Sequence, residues 1–213
     1  MRRLSWIEAG MRALPVVLGP LVLAACGTLG GSPPAPESAG AGPVPPEQAA
    51  RYAELVQRLA AGDEGAPADL AKFSAAHPDL AGPLVTLGLE QARGGDEAAA
   101  RELFERATRV CTHCGPAWSE LGVLARRQGR FADAELSYLQ AISLQPDYAP
   151  AYFNLAMLYE LYLPRPELAV QNYERYLEVG GAVDARPDVE KWVADLRRRA
   201  GATPKAARTE PAT

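Results

Sequence analysis

The sequence predicts an all-α protein built as a solenoid of stacked helical hairpins. Three observations carry this. Alanine, leucine, glutamate and arginine dominate, and the Val/Ile/Thr alternation of half-buried strands is almost absent. The chain overlays on itself when shifted by 34 residues. Within each copy, small residues recur at fixed places among large apolar ones, the pattern of helices that approach closely.

The register justifies the elements in order. Leu84, Leu87, Gly88, Ala100, Phe104 and Ala107 fall on Trp118, Leu121, Gly122, Ala134, Tyr138 and Ala141. The next copy supplies Tyr152, Leu155, Ala156 and Tyr159, and one extra residue in the turn around Leu163-Pro164-Arg165-Pro166 moves the remainder to Ala169, Tyr173 and Tyr176. This yields three clear repeats, 81–114, 115–148 and 149–183. Gly88/Ala100, Gly122/Ala134 and Ala156/Ala169 are expected to be the points where the two helices of a hairpin touch. A single hairpin cannot cover its own apolar face, so about three must stack. Ahead of them, Glu47–Ala61 and Ala66–Ala76 read as a degenerate N-terminal pair within 47–80, with Ala66, Leu70 and Pro78 in register one repeat earlier. Behind them, Gly180-Gly181 stops a helix, and 184–200 forms a capping helix with Val189, Trp192, Val193 and Leu196 on one face.

Trp118, Leu121, Gly122, Gly129, Phe131, Ala134, Tyr138, Ala141 and Pro146 resemble the signature of the tetratricopeptide repeat (TPR), and 115–148 departs from it only at Ala125, where the family usually has tyrosine. The resemblance implies an all-α TPR solenoid whose first helices line a concave groove. The inward-facing places are Val85, Leu89 and Ala92, then Ser119, Val123 and Arg126, then Phe153, Met157 and Glu160. The lysine and asparagine with which some members clamp a peptide carboxylate are missing from these slots. The groove is instead expected to be mostly apolar, with Arg126 and Glu160 setting the register of a partner. In Ala151–Leu163 only Asn154 and Glu160 interrupt the apolar residues. A helix apolar on all sides must be covered on all sides, by a partner or by the chain's own flanking helices.

The N-terminal segment fixes an expected location. Arg2, Arg3 and Arg12 precede an apolar run, Ala13–Ala25, broken by Pro15 and Pro20. It falls short of the ~20 residues needed to span a bilayer and has the anatomy of a secretory signal, 1–25. Leu23-Ala24-Ala25-Cys26 resembles the lipobox of bacterial lipoproteins. That resemblance implies that Cys26 becomes the N-terminus and carries a diacylglycerol thioether and an acylated amine, palmitate-type chains that hold the protein on the membrane. Gly27 and Thr28 in place of aspartate imply the periplasmic face of the outer membrane. Residues 26–46, rich in Gly, Pro, Ser and Ala with the single charge Glu37, are expected to be a disordered tether, and 201–213 a disordered tail.

Composition narrows the chemistry. Without residues 1–25 the chain keeps 19 basic and 25 acidic residues, a formal −6, and no basic stripe that would suit nucleic acid. There are two histidines, His77 and His113, and no nucleophile elbow, phosphate loop or His-Glu-x-x-His, so neither an enzyme nor a cofactor is expected. Cys111-Thr112-His113-Cys114 is the one constellation to weigh. A structural disulfide across the inter-repeat turn is the preferred reading in an oxidising compartment. A zinc site shared with His77, or a redox pair, is the alternative. The sequence therefore reads as a non-catalytic outer-membrane lipoprotein adaptor that binds a protein or peptide segment of an envelope complex. Relatives of this architecture serve as type IV pilus pilotins, as adaptors for peptidoglycan hydrolases, or beside Tol/Ton-like machines. A self-associating structural lipoprotein and a metal or redox module are the competing readings.

Overall fold

The computed structural model describes residues 44–202. The signal segment, Cys26, the tether as far as residue 43 and the tail from residue 203 lie outside the described residues. Nine helices follow one another among the described residues: α1 (Pro46–Ala60), α2 (Ala66–Ala76), α3 (Ala81–Arg93), α4 (Glu97–Val110), α5 (Gly115–Arg127), α6 (Phe131–Leu144), α7 (Ala149–Leu161), α8 (Pro166–Glu178) and α9 (Arg186–Ala202). A 3₁₀ turn, Val183–Ala185, leads into α9. They pair as α1/α2, α3/α4, α5/α6 and α7/α8, each hairpin packs on the next, and α9 closes the stack against α8.

Local chemistry sets the ends. Proline occupies the first turn of α1, α2, α5, α7 and α8, where its missing N–H costs nothing. Asp96 caps α4 by accepting the Ala99 amide at 2.9 Å. Gly95 and Gly129, with φ of 88° and 72°, make the left-handed turn inside the second and third hairpins. Helix α7 stops two residues earlier than its apolar run suggests, because Pro164 disfavours helical backbone at Leu163.

The second and third hairpins each close on an aromatic ring. A Cβ built on Gly122 would lie 2.5 Å from Cε1 of Tyr138, and one built on Gly88 would run into the ring of Phe104. The glycines thus receive the rings of the second helix, and the expected small-to-small contacts with Ala100 and Ala134 are not what makes them necessary. Phe104 and Tyr138 are fully buried, as are Ala100, Ala107, Ala134 and Ala141 beside them. The degenerate pair joins the same stack. Tyr52, Leu55 and Leu70 form its core with Leu87 of α3 against them, and the Tyr52 hydroxyl meets Thr86 Oγ1 at 2.6 Å.

Gly122→Ala is therefore expected to destabilise the protein by about 1–3 kcal/mol through overpacking, although alanine is intrinsically the better helix former by about 1 kcal/mol. A lower urea midpoint with an unchanged m-value would show it, and a raised midpoint would refute it.

Candidate functional site

Helices α1, α3, α5 and α7 are the first members of successive hairpins, and α5 contacts α7 directly. Their common face is where the sequence places a groove. Several of the nominated side chains lie beneath this face. Ser119 is fully buried and accepts a hydrogen bond from Asn154 Nδ2 at 3.3 Å. Val85 is buried in the core around Leu84 and Phe104, Leu89 and Ala92 are half-buried against it, and Val123 is just buried. Phe153 is buried too, and its cover is the chain itself. The rings of Tyr173 and Tyr176 on α8 and Trp192 on α9 lie 5.8, 5.2 and 6.2 Å from its own. The all-round apolar α7 is thus covered on this side by its own repeat and by the closing helix. Met157 remains half-buried, while Leu161 and Tyr162 at the end of α7 are 62% and 40% exposed and Trp192 is 43% exposed.

The two polar markers have occupations inside the chain. Arg126 Nε donates to the Tyr138 hydroxyl at 3.3 Å, and its guanidinium lies 5.8 Å from the centre of the Tyr162 ring. Glu160 accepts from the Tyr173 hydroxyl at 3.0 Å and from Arg199 of α9 at 3.1 Å. Ala92 stands at the corresponding place of the first repeat, where the closing ring is Phe104 and carries no hydroxyl. Position by position, the first helix offers a polar partner where the second helix brings a phenol, and none where it brings a phenyl. Burial, reinforced by the Glu160 charge, drives the Tyr173 hydroxyl far above its ordinary value.

Glu120 is the feature that sequence reasoning missed. Burial pushes its carboxyl up to about 7, against the smaller opposing pull of Arg126 and Arg93. Tyr148, whose own hydroxyl is raised mainly by burial, feels its charge. A glutamate one place along from Ser119 carries no signature in sequence, because only the fold half-buries it and strips part of its water.

The CTHC turn is built into the core. Cys111 and Cys114 are both buried, in the same core cluster as Ala107, Ala117 and Leu121. His113 is exposed, and His77 lies with its ring 4.5 Å from that of Phe73. Among the described residues no group of three or more His, Cys, Asp or Glu side chains is arranged to hold a metal ion.

Comparison with known proteins agrees with this architecture. Residues 115–148 match a tetratricopeptide repeat family model, and residues 137–178 match a second model of the same description. Among solved structures the chain is similar to Pseudomonas aeruginosa pilF, with 21% identity and a TM-score of 0.61 over 72% of this chain and 69% of that one. It is also similar to MamA, at 20% identity and a TM-score of 0.49 over 68% of this chain and 95% of that one. The Yersinia enterocolitica type III secretion chaperone SycD, solved with a peptide of the translocator YopD, is 15% identical with a TM-score of 0.49, over 55% of this chain and 92% of that one. No curated protein matches the chain. The chain carries tetratricopeptide repeats, and its fold is an all-α TPR solenoid.

The Glu120 carboxyl gives a pH test. Its folded value of about 7 stands above the ordinary 4.5, so the folded state binds the proton more tightly. The resulting stability is complete at low pH and is lost as pH rises through 7. Glu120→Gln removes the ionisation, so its melting temperature is expected to exceed the wild type's at pH 8, by the equivalent of about 1–2 kcal/mol, and to match it near pH 4. An equal offset at both pH values would show that the carboxyl is not held neutral.

Proposed function

We propose that the protein is a non-catalytic outer-membrane lipoprotein adaptor that holds a protein or peptide segment on its first-helix face in the periplasm, during assembly of an envelope or pilus machine. The observation that carries the binding reading is the apolar surface left uncovered on that face. Leu161 and Tyr162 at the end of α7 and Trp192 on α9 stay exposed, and Met157 is half-buried, although the chain supplies its own cover for Phe153. Exposed apolar side chains mark an interaction site where they form a patch, which is the arrangement proposed for this face. The occupant rests on Leu89, Met157 and Leu161, with Val123 just beneath them. Val85, Ser119 and Phe153 form the floor that keeps those side chains in place, and Arg126 and Glu160 present their charges from fixed positions. An amphipathic helix or extended segment suits such a surface.

The membrane part of the reading rests on the lipobox-like Leu23–Cys26 and on the Gly/Pro-rich stretch that follows it. The absence of catalysis rests on the chemistry of the chain. It has two histidines, one exposed and one against Phe73, and no nucleophile with a base beside it in its motifs. The likeness to P. aeruginosa pilF is one of fold, and the leaning toward envelope or pilus machinery is drawn from TPR repeats combined with the lipoprotein-like start.

Photo-crosslinking in intact cells tests the surface. With a crosslinker at residue 164, a discrete adduct is expected from wild type and at least tenfold less from Leu161→Glu and Met157→Asp variants that keep the wild-type melting temperature. Equal adduct from all three would place the partner elsewhere. For the anchor, Cys26→Ser is expected to abolish incorporation of labelled palmitate and to move the protein out of the membrane fraction. Retention of label would overturn the lipoprotein reading.

A further inference from the structure

The face opposite the first-helix surface carries a cavity of about 280 Å³ between α4, α5 and α6. Its floor is Trp118, Leu121 and Ala125, one stripe of α5, and its walls include Arg101 and Arg109 of α4 and Arg130 at the start of α6. The repeat explains why it exists. One copy later, the place of Ala125 belongs to Tyr159, which is buried. The Tyr159 hydroxyl donates to Glu135 at 2.7 Å, and Arg165 lies 5.7 Å from the centre of its ring while pairing with Glu135 at 2.9 Å. Shifted back by one repeat, Ala125 stands for Tyr159, Arg101 for Glu135 and, allowing for the inserted residue, Arg130 for Arg165. The slot has lost its ring, and its hydrogen-bond acceptor has become a donor.

We propose that this slot binds an aromatic side chain that lies beside a carboxylate on a partner polypeptide. The ring takes the volume of the missing tyrosine against Trp118 and Leu121, with Arg130 over its face as Arg165 lies over Tyr159. The carboxylate takes the guanidinium groups of Arg101 and Arg109. Size supports a single side chain, since pockets for larger ligands begin at about 300 Å³. Charge supports the carboxylate. Asp133 is held by Arg130 at 2.8 Å, which leaves Arg101 and Arg109 facing Glu105 as the only other acid of the lining. Arg101 spends one nitrogen on Gln128 at 2.7 Å, and a guanidinium has further N–H groups for a carboxylate. This site is on a different face from the surface proposed above and stands or falls without it.

N-acetylphenylalanine, which joins a ring to a carboxylate, is the probe, and the full chain is observed by two-dimensional NMR with the Trp118 indole N–H as reporter. Saturable shifts of Trp118 and of α4 and α5 amides are expected in the millimolar range. N-acetylphenylalaninamide, which keeps the ring and lacks the charge, is expected to bind at least about fivefold more weakly, and N-acetylglycine not to shift Trp118. Ala125→Tyr fills the slot from within and is expected to abolish the response, and Arg101→Gln, which leaves the core untouched, to weaken it at least about threefold. No saturable shift at Trp118, equal binding of the acid and the amide, or undiminished binding to folded Ala125→Tyr would each overturn the proposal.

Discussion

The stack depends on a ring laid against a glycine. Phe104 and Tyr138 are each completely excluded from water, and both can be so only because Gly88 and Gly122 have no Cβ to hold the helices apart. Burying an aromatic side chain removes about 150–250 Å² from solvent, worth about 4–6 kcal/mol as an upper bound. The glycine costs its helix only about 1 kcal/mol relative to alanine. The exchange favours the close crossing decisively, and everything else follows from the hairpin it locks. Once α3/α4 and α5/α6 are fixed as rigid pairs, Ala107, Leu121 and Leu124 join one continuous core across the repeat boundary.

A phenol in that position brings a second requirement. Its hydroxyl is carried to the far helix and needs a partner, because a buried donor left unsatisfied costs about 1–3 kcal/mol. Arg126 answers Tyr138, Glu160 answers Tyr173, and Ala92 needs to answer nothing opposite Phe104. The charges that line the first-helix face are therefore set by the interior, and they reach the surface already oriented. Glu160 is held a second time by Arg199, which ties α9 to α7. The same helix lays Trp192 against both Phe153 and Tyr173. The closing helix thus does more than end the stack, since it also sets how much of α7 stays open.

The hairpins, their order and the capping helix were legible because each rests on a period that sequence displays directly. Helix ends were legible to within a residue or two, and the difference at Leu161 traces to a proline whose effect reaches back by one residue. The surface was legible only in part. A pattern of inward places does not distinguish a side chain that points into the groove from one that lies under it, and Ser119, Val85 and Phe153 lie under it. That distinction depends on what the next helix brings: Asn154 over Ser119, and Trp192 over Phe153. Nor does sequence reveal that Glu120 is half-buried and partly desolvated, since its neighbours Arg93, Arg126 and Tyr148 come from three separate segments. The CTHC spacing was visible, but that the turn lies inside the core was not. Cysteine is among the most readily buried residue types, and Cys111 and Cys114 share one core cluster with Ala107 and Leu121.

The departure at Ala125 belongs with these lessons in a different way, because the sequence displayed it and only the neighbouring repeat explains it. A tyrosine there would need an acceptor for its hydroxyl, as Tyr159 needs Glu135. Arg101 stands where that acceptor would be and is itself bonded to Gln128, which Arg130 also reaches at 3.1 Å. The loss of the ring and the reversal of the polar group therefore agree with one another. An alanine beside a retained glutamate would read as a simple defect, a hole with its partner still waiting. An alanine beside two arginines is a slot whose preference has been changed from a phenol of its own to an acid from elsewhere. The solenoid can carry this at little cost, because the slot opens on the side away from the ring-on-glycine contacts that hold each hairpin shut.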